Sequence, residues 1–374
     1  MKKKYIIISI LVIICSLVVV FTTKKGNNKG KTNFQSIVWE CSEIQTDSFK
    51  LKSIISDYRI VPLEYTDNSI IGNIDKVIVA DSLVFIMDSQ VAAGIFVFDV
   101  RSGKFIRNIG DVGKGFGEYF RLYDMSIDSK NRYIYVLCEK KRLLCYSFSG
   151  KCLSVKELPF LATNFEYLDD KFYFINEIPD ENNLYITDCD FHILSSEFPN
   201  NVYGENYRRL IHPLQKTSDG ILYRRFLDQN IYMIDRDNNI YPLYTLNLGD
   251  DQLSVDMVKK MPRGQLKDLM SQGVCHIKYY TDGKDYSMAL FFIKNVPYIS
   301  IYNKKKNVTK TYEYSMMKND LMNLDFPLLE FISSEKKFIA VLYNEDIEAL
   351  IENNLYDNNT YEQNDNPMLC IFQQ

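Results

Sequence analysis

From residue 74 onward the chain alternates short apolar runs with turn residues. IDKVIVA, SLVFIMD, GIFVFDV and KFIRNIG follow one another, parted by Asp81 and Ser82 and by Arg101, Ser102 and Gly103. Such runs, rich in β-branched and aromatic residues and bounded by turn formers, predict strands. The pattern restarts with YDMSID, RYIYVLC, RLLCYSF and KCLSVKEL, and its turn Ser149, Gly150, Lys151 repeats Ser102, Gly103, Lys104. Weaker copies cover residues 163–197, 210–249 and 274–314. Residues 324–343 hold two further strands before a polar, helix-like stretch. The second strand of each unit begins near Leu83, Tyr133, Lys171, Ile221, Tyr286 and Lys336, at spacings of about 50, 38, 50, 65 and 50 residues. The longest gap contains SVDMVKKMPRGQLKDLM, whose apolar spacing predicts a helical insertion near residues 254–271, broken near Pro262.

Four strands per unit at this period predict a β-propeller. Six units make it all-β and six-bladed, with four-stranded antiparallel blades. The last unit is short by two strands, and the chain offers both: SDYRIVPLEY near its start and NPMLCIFQQ at its end. A last blade closed by N- and C-terminal strands leaves no free edge between first and last sheets. A sandwich does not account for a four-strand repeat. The propeller is expected over residues 51–374.

The first residues read differently. MKKKYIIISILVIICSLVVVFTTKK has a basic start and an uncharged run from Tyr5 to Thr23, roughly 28 Å long as a helix, about a bilayer core. No small-residue cleavage site follows Phe21, so residues 1–24 are expected to be an uncleaved membrane anchor helix. Lipidation at Cys15 is the alternative, although Ile13 and Ile14 stand where a lipoprotein signal carries small residues. Lysines flank both ends of the run, so charge does not settle its orientation. Residues 25–50, which open with the polar KGNNKGKT, are expected to be a linker.

Composition adds exclusions. The formal net charge is −4, which removes a general electrostatic reason to bind nucleic acid. Of 8 cysteines, seven lie outside the anchor, scattered and without a Cys-x-x-Cys pair, and read as buried small hydrophobes. The 27 tyrosines suit stacking on carbohydrate or peptide and suit strands equally.

The most suggestive motif is GDVGKGFGEYF at residues 110–120. It lacks the glycine spacing of a dinucleotide fingerprint and the Gly-Lys-Ser/Thr of a P-loop, and a strand follows it instead of a helix. It reads as a connector between blades, and no cofactor is expected. His192, His212 and His276 are unpaired at metal spacing, so no metal site is assigned. Asp88, Asp99, Asp128, Asp188 and Asp235 end strands and read as turn formers. Arg208, Arg209, Arg224 and Arg225 read as solvated strand edges and turns. Gly-x-Ser-x-Gly is absent, and no catalytic residue is proposed.

Four stretches, IVPLEYTDNSIIGNIDKV, GKGFGEYFRLYDMSID, IYMIDRDNNIYPLYTLNLG and NDNPMLCIF, resemble the six-bladed β-propeller envelope proteins of Bacteroidetes, related to NHL and TolB-type propellers. Phe116 stands where that family usually has proline. The resemblance implies the propeller fold and an exported, membrane-tethered place in the cell envelope, and no catalytic residues. The expected function is a non-catalytic binding or scaffolding module for a glycan, peptide or envelope protein. The alternative is a metal-dependent propeller enzyme, a lactonase-type hydrolase or polysaccharide lyase, with its site at the channel axis. A loop that joins an outer strand to the next inner strand opens at the mouth where propellers commonly take ligands. That makes Glu118, Tyr119 and Arg121 the candidate ligand-binding residues.

Overall fold

Hairpins with short turns build each sheet. The computed structural model describes residues 35–179, 181–200, 210–250, 252–253, 255–262, 265, 274–332, 336–357 and 366–374. The first blade pairs Lys76–Ala80, Leu83–Asp88, Gly94–Asp99 and Phe105–Asn108 in chain order, antiparallel throughout. The second uses Leu122–Asp128, Tyr133–Cys138, Arg142–Ser147 and Cys152–Glu157, and the third Asn164–Leu168, Lys171–Ile175, Asn182–Thr187 and Ile193–Pro199. The fourth has Leu214–Lys216, Gly220–Arg224, Asn230–Asp235 and Ile240–Asn247; the fifth has Val274–Asp282, Tyr286–Ile293, Val296–Asn303 and Val308–Glu313.

The sixth blade is composite. Phe331–Ile332 and Phe338–Leu342 pair with the C-terminal strand Met368–Gln373, and that strand pairs with Asp57–Pro62 from the other end of the chain. The expected six-bladed ring and its two-ended closure are both present. The helix Asn344–Glu352, between the second and third strands of this blade, occupies the stretch read as helix-like and turns Ile347 and Leu350 into the core. Of the expected insertion near 254–271, the described part contains the short helix Val255–Lys259. The expected anchor, residues 1–24 with Cys15, lies outside the described residues; among those described, no helix is long and apolar enough to cross a membrane.

Blades bury both faces against their neighbours, which explains why runs such as VFIM are apolar throughout instead of alternating. Phe85, Val97, Ile134 and Leu144 share one cluster between the first two blades. Val84, Phe98, Ile339 and Leu369 share another between the first and last. The aspartates at strand ends serve their turns. Asp99 accepts the N–H groups of Arg101 and Ser102 at 3.0 and 2.8 Å, and Asp235 those of Asp237 and Asn239 at 2.9 and 2.8 Å.

Two corrections concern segments read as solvated. Within 25–50, the expected linker, Ile37–Glu40 adds a fifth, parallel strand to the outer edge of the fourth blade. The chain then touches Thr311 of the fifth blade through Gln45, pairs Phe49–Lys50 with Met317–Lys318, and enters the sixth. Trp39, fully buried, stacks on Tyr302 at 5.1 Å and meets Tyr244 at 5.3 Å. Truncating such a ring to alanine costs about 3–5 kcal/mol, so this stretch is core and not spacer. Nearby Cys41 is buried too, and burial pushes its thiol up to about 12, an inert group. Arg224 is the second correction. It is 3% exposed and donates to the carbonyls of Ile277 and Ile211, so it ties the fourth blade to the fifth. Desolvation pulls its pKa down to about 10. Arg225 lies over the Phe198 ring, 4.5 Å from its centre, while Arg208 and Arg209 lie outside the described residues.

The repeated Ser-Gly-Lys turns are not equivalent in space. At Gly103, with φ of +69°, a Cβ would stand 1.7 Å from the Pro62 carbonyl oxygen of the closing strand; at Gly150, with φ of +88°, the nearest atom would be 3.4 Å away. Gly150→Ala is expected to lose about 1–2 kcal/mol from the left-handed backbone alone. Gly103→Ala is expected to lose clearly more, because the closing strand must move. Chemical denaturation of both variants checks the order, and equal losses would contradict this account of the joint.

Candidate functional site

The inner strand of each blade has one edge with no sheet partner, so its backbone groups must find bonds across the channel. Side chains from neighbouring blades provide them. Asp124 Oδ2 accepts the Phe165 N–H at 2.9 Å, and Ser126 Oγ accepts the Tyr167 N–H at 3.0 Å. Ser126 Oγ in turn donates to Glu166 Oε2 at 2.6 Å. Lys76, at the start of the first inner strand, reaches both acids: its Nζ is 2.8 Å from Asp124 Oδ1 and 2.9 Å from Glu166 Oε1. Lys216, from the fourth blade, donates to the Ile127 carbonyl at 2.6 Å and stands 4.0 Å from Glu166 Oε2.

These four residues form a charged bar across the channel. Burial opposes the charge on Lys76, but Asp124 and Glu166 outweigh it, and its pKa stands above that of an ordinary lysine. Lys216 differs. Desolvation dominates there and lowers its pKa, because its nearest carboxylate is already committed to Lys76 and Ser126.

Hollows open on both sides of the bar. Above it, where the inner strands begin, is a cavity of about 1110 Å³ whose wall includes Phe120, Arg121, Tyr123 and Lys140. Below it lies a second, of about 340 Å³, among Val79, Ile127, Leu214, Lys216 and Phe331. At the upper mouth Arg121 and Lys140 both lie over the Tyr123 ring, at 5.8 and 5.6 Å from its centre. Phe120 is 66% exposed. Glu139 and Lys140 hold left-handed φ of 49° and 62°, a costly conformation for non-glycine residues. Glu139 justifies it by accepting the N–H groups of Phe120 and Arg121 at 2.6 and 3.2 Å. Burial works against the Glu139 carboxylate, but those bonds and the Cys138 thiol prevail and hold it below the usual carboxylate range.

The three sequence candidates part ways. Arg121 lines the upper mouth. Glu118 folds back on its own loop and accepts the Gly115 N–H at 2.7 Å. Tyr119 is 2% exposed and donates to the Ile109 carbonyl at 3.1 Å. Both clasp the connector, as does Tyr146, which donates to the Gly117 carbonyl at 2.7 Å. His212 lies on the wall between the hollows with Nε2 3.5 Å from Glu330 Oε1, and His192 bonds Asp188 on the surface. Lys76, Asp124, Glu166 and Lys216 were missed, although one signal was available: four consecutive units carry a charge inside the first strand. The axial acids answer to Lys76, and among the described residues no group of three His, Cys, Asp or Glu could hold a metal ion.

Fold and channel together define a six-bladed propeller whose axis is barred by a buried ion network. The chain belongs to the family described as Domain of unknown function (DUF4934), whose pattern matches residues 36–373. Its structure is similar to that of a Bacteroides fragilis NCTC 9343 protein inferred to be exported, with a TM-score of 0.76 and 20% identity over 91% of this chain and 99% of that one. A member of the duf4221 family from Bacteroides vulgatus ATCC 8482 has a TM-score of 0.49 at 12% identity, over 85% of this chain and 96% of that one. No curated protein matches the sequence.

Removing Lys76 leaves two buried carboxylates uncompensated, so Lys76→Met is expected to cost about 3–5 kcal/mol at neutral pH. Lys216→Met removes a desolvated amine and is expected to stay within about 1 kcal/mol of wild type, or above it. Because the folded pKa of Lys76 is raised, its contribution is complete below the unfolded value of about 10.4 and fades as pH rises through the folded one. Denaturation at pH 7 compares the two variants, and from pH 7 to 10 the Lys76 contribution is expected to stay undiminished; a Lys76→Met variant as stable as wild type would refute the role of the bar.

Proposed function

We propose that this protein is a non-catalytic binding module of the cell envelope that takes an acidic chain, glycan or peptide, at the upper mouth of its channel. The observation that carries this reading is the mouth itself. Arg121 and Lys140 converge there on Tyr123 beside the exposed Phe120, while Glu139 is occupied by backbone N–H groups and Arg142. Cations that form no ion pair among the described residues, set beside aromatic faces, suit acidic groups on a chain with apolar or sugar-ring surfaces. The strained turn that presents Lys140 fits the same role. The bar below makes the mouth a blind pocket, which favours docking over passage. Export and membrane tethering by residues 1–24 belong to this proposal and rest on the apolar N-terminal run and on the likeness to a protein inferred to be exported.

Arrays of acidic glycans and acidic peptides, probed with the purified protein, test the proposal. An Arg121→Glu, Lys140→Glu double variant is expected to bind about tenfold or more weakly than wild type, with Phe120→Ala intermediate. Retention of every ligand by the double variant at wild-type affinity would remove the upper mouth as the site.

A further inference from the structure

Below the bar, the geometry points to a second site, independent of the upper mouth, that takes a small carboxylate with an apolar body and pairs its head with Lys216. The lower cavity of about 340 Å³ is at the small end for ligand pockets. Most of its wall is hydrocarbon: Val77, Val79, Ile127, Leu214, Phe331 and Ile332. Lys76 and Glu166 line it together with Lys216, and Gln215, Thr217 and Thr281 add further polar groups to the wall.

The charges there are unevenly matched. Both carboxylates of the bar lie within 2.9 Å of Lys76. Glu166 Oε2, the carboxylate oxygen facing Lys216, already accepts Ser126 at 2.6 Å and stays 4.0 Å from the amine. Among the described residues the Lys216 ammonium has one close acceptor, the Ile127 carbonyl, for its three N–H donors. Its side chain is 32% exposed and lines this cavity as well as a neighbouring hollow that holds Asp128, Asp169 and Asp170, none of which bonds the amine. Glu330, the other acid on this wall, sits against His212, and Lys336 adds a further cation. An enclosed ammonium short of acceptors gains most from an anion that brings its own charge and two oxygens. A carboxylate at Lys216 would lay its chain along the apolar walls and displace water from them. Burial lowers the basicity of Lys216 against the pull of Glu166, Asp128 and Asp169, which accords with an ammonium that no acid contacts closely.

Octanoate is a suitable probe, with 1-octanol as the uncharged chain of the same length. Titration calorimetry of the full protein is expected to show saturable octanoate binding, with 1-octanol weaker by about tenfold or more. Lys216→Met and Lys216→Gln are each expected to weaken octanoate by a similar factor while the protein remains folded by circular dichroism. The Arg121→Glu, Lys140→Glu variant is expected to bind octanoate as wild type does, which separates this site from the upper mouth. Absence of octanoate binding at millimolar concentration, equal affinity for octanoate and octanol, or undiminished binding by both folded Lys216 variants would overturn the proposal.

Discussion

A ring of sheets holds only if the last sheet cannot peel away from the first. Here that joint is made from the two ends of the propeller chain. Met368 pairs with Pro62 and Gln373 with Asp57, so the outermost strands of the sixth blade come from opposite ends of the sequence. Asn366 reinforces the joint. Its Oδ1 accepts the Ile71 N–H at 2.8 Å, and its Nδ2 donates to the carbonyls of Glu64 and Ser69 at 2.9 and 2.6 Å. Contacts of such long sequence separation form late and at high entropic cost, but once formed they hold every blade in place. The first inner strand begins at Lys76, just beyond this joint. The position of the charged bar therefore depends on ring closure.

The bar resolves a conflict built into the fold. Blades pack on one another through apolar faces, yet each ends at the axis in a strand edge that needs hydrogen bonds. A carboxylate and a serine hydroxyl of the second blade, Asp124 and Ser126, accept edge N–H groups of the third, and Ser126 donates to the third blade's Glu166. They bring negative charge to the axis with them, and Lys76 answers it. The same side chains that complete the strand edges thus divide the channel into an upper mouth and a lower hollow of different character. The upper hollow, where Arg121, Lys140, Phe120 and Tyr123 share the wall with Asp75 and Glu139, and the more apolar lower walls follow from which residues flank the bar on each side.

Much of this was legible in the sequence. The repeat, the positions of the second strands, the aspartate turns and the two-ended closure are local or periodic features, and all are present. Residues 35–50 were misread because low-complexity neighbours masked a single tryptophan. Trp39 has no periodic context, and only the ring of Tyr244, Tyr280 and Tyr302 gives it a place. Arg224 was misread for the same reason: its acceptors, Ile211 and Ile277, are 13 and 53 residues away in sequence. In the connector at 110–120, Glu118 and Tyr119 belong to its own fastening, and of the three candidates Arg121 reaches the mouth.

By itself, the sequence determined the number of blades, the strands within them, the turns between them and the segments that close the ring. Strand propensity, turn chemistry and apolar patterning act over a few residues, and a repeat multiplies their signal. Which charged residues meet at the axis, which arginine is buried and which side chains face the channel were decided only by tertiary structure. Those relations join residues dozens to hundreds of positions apart, and they exist only once the blades are wrapped around a common axis.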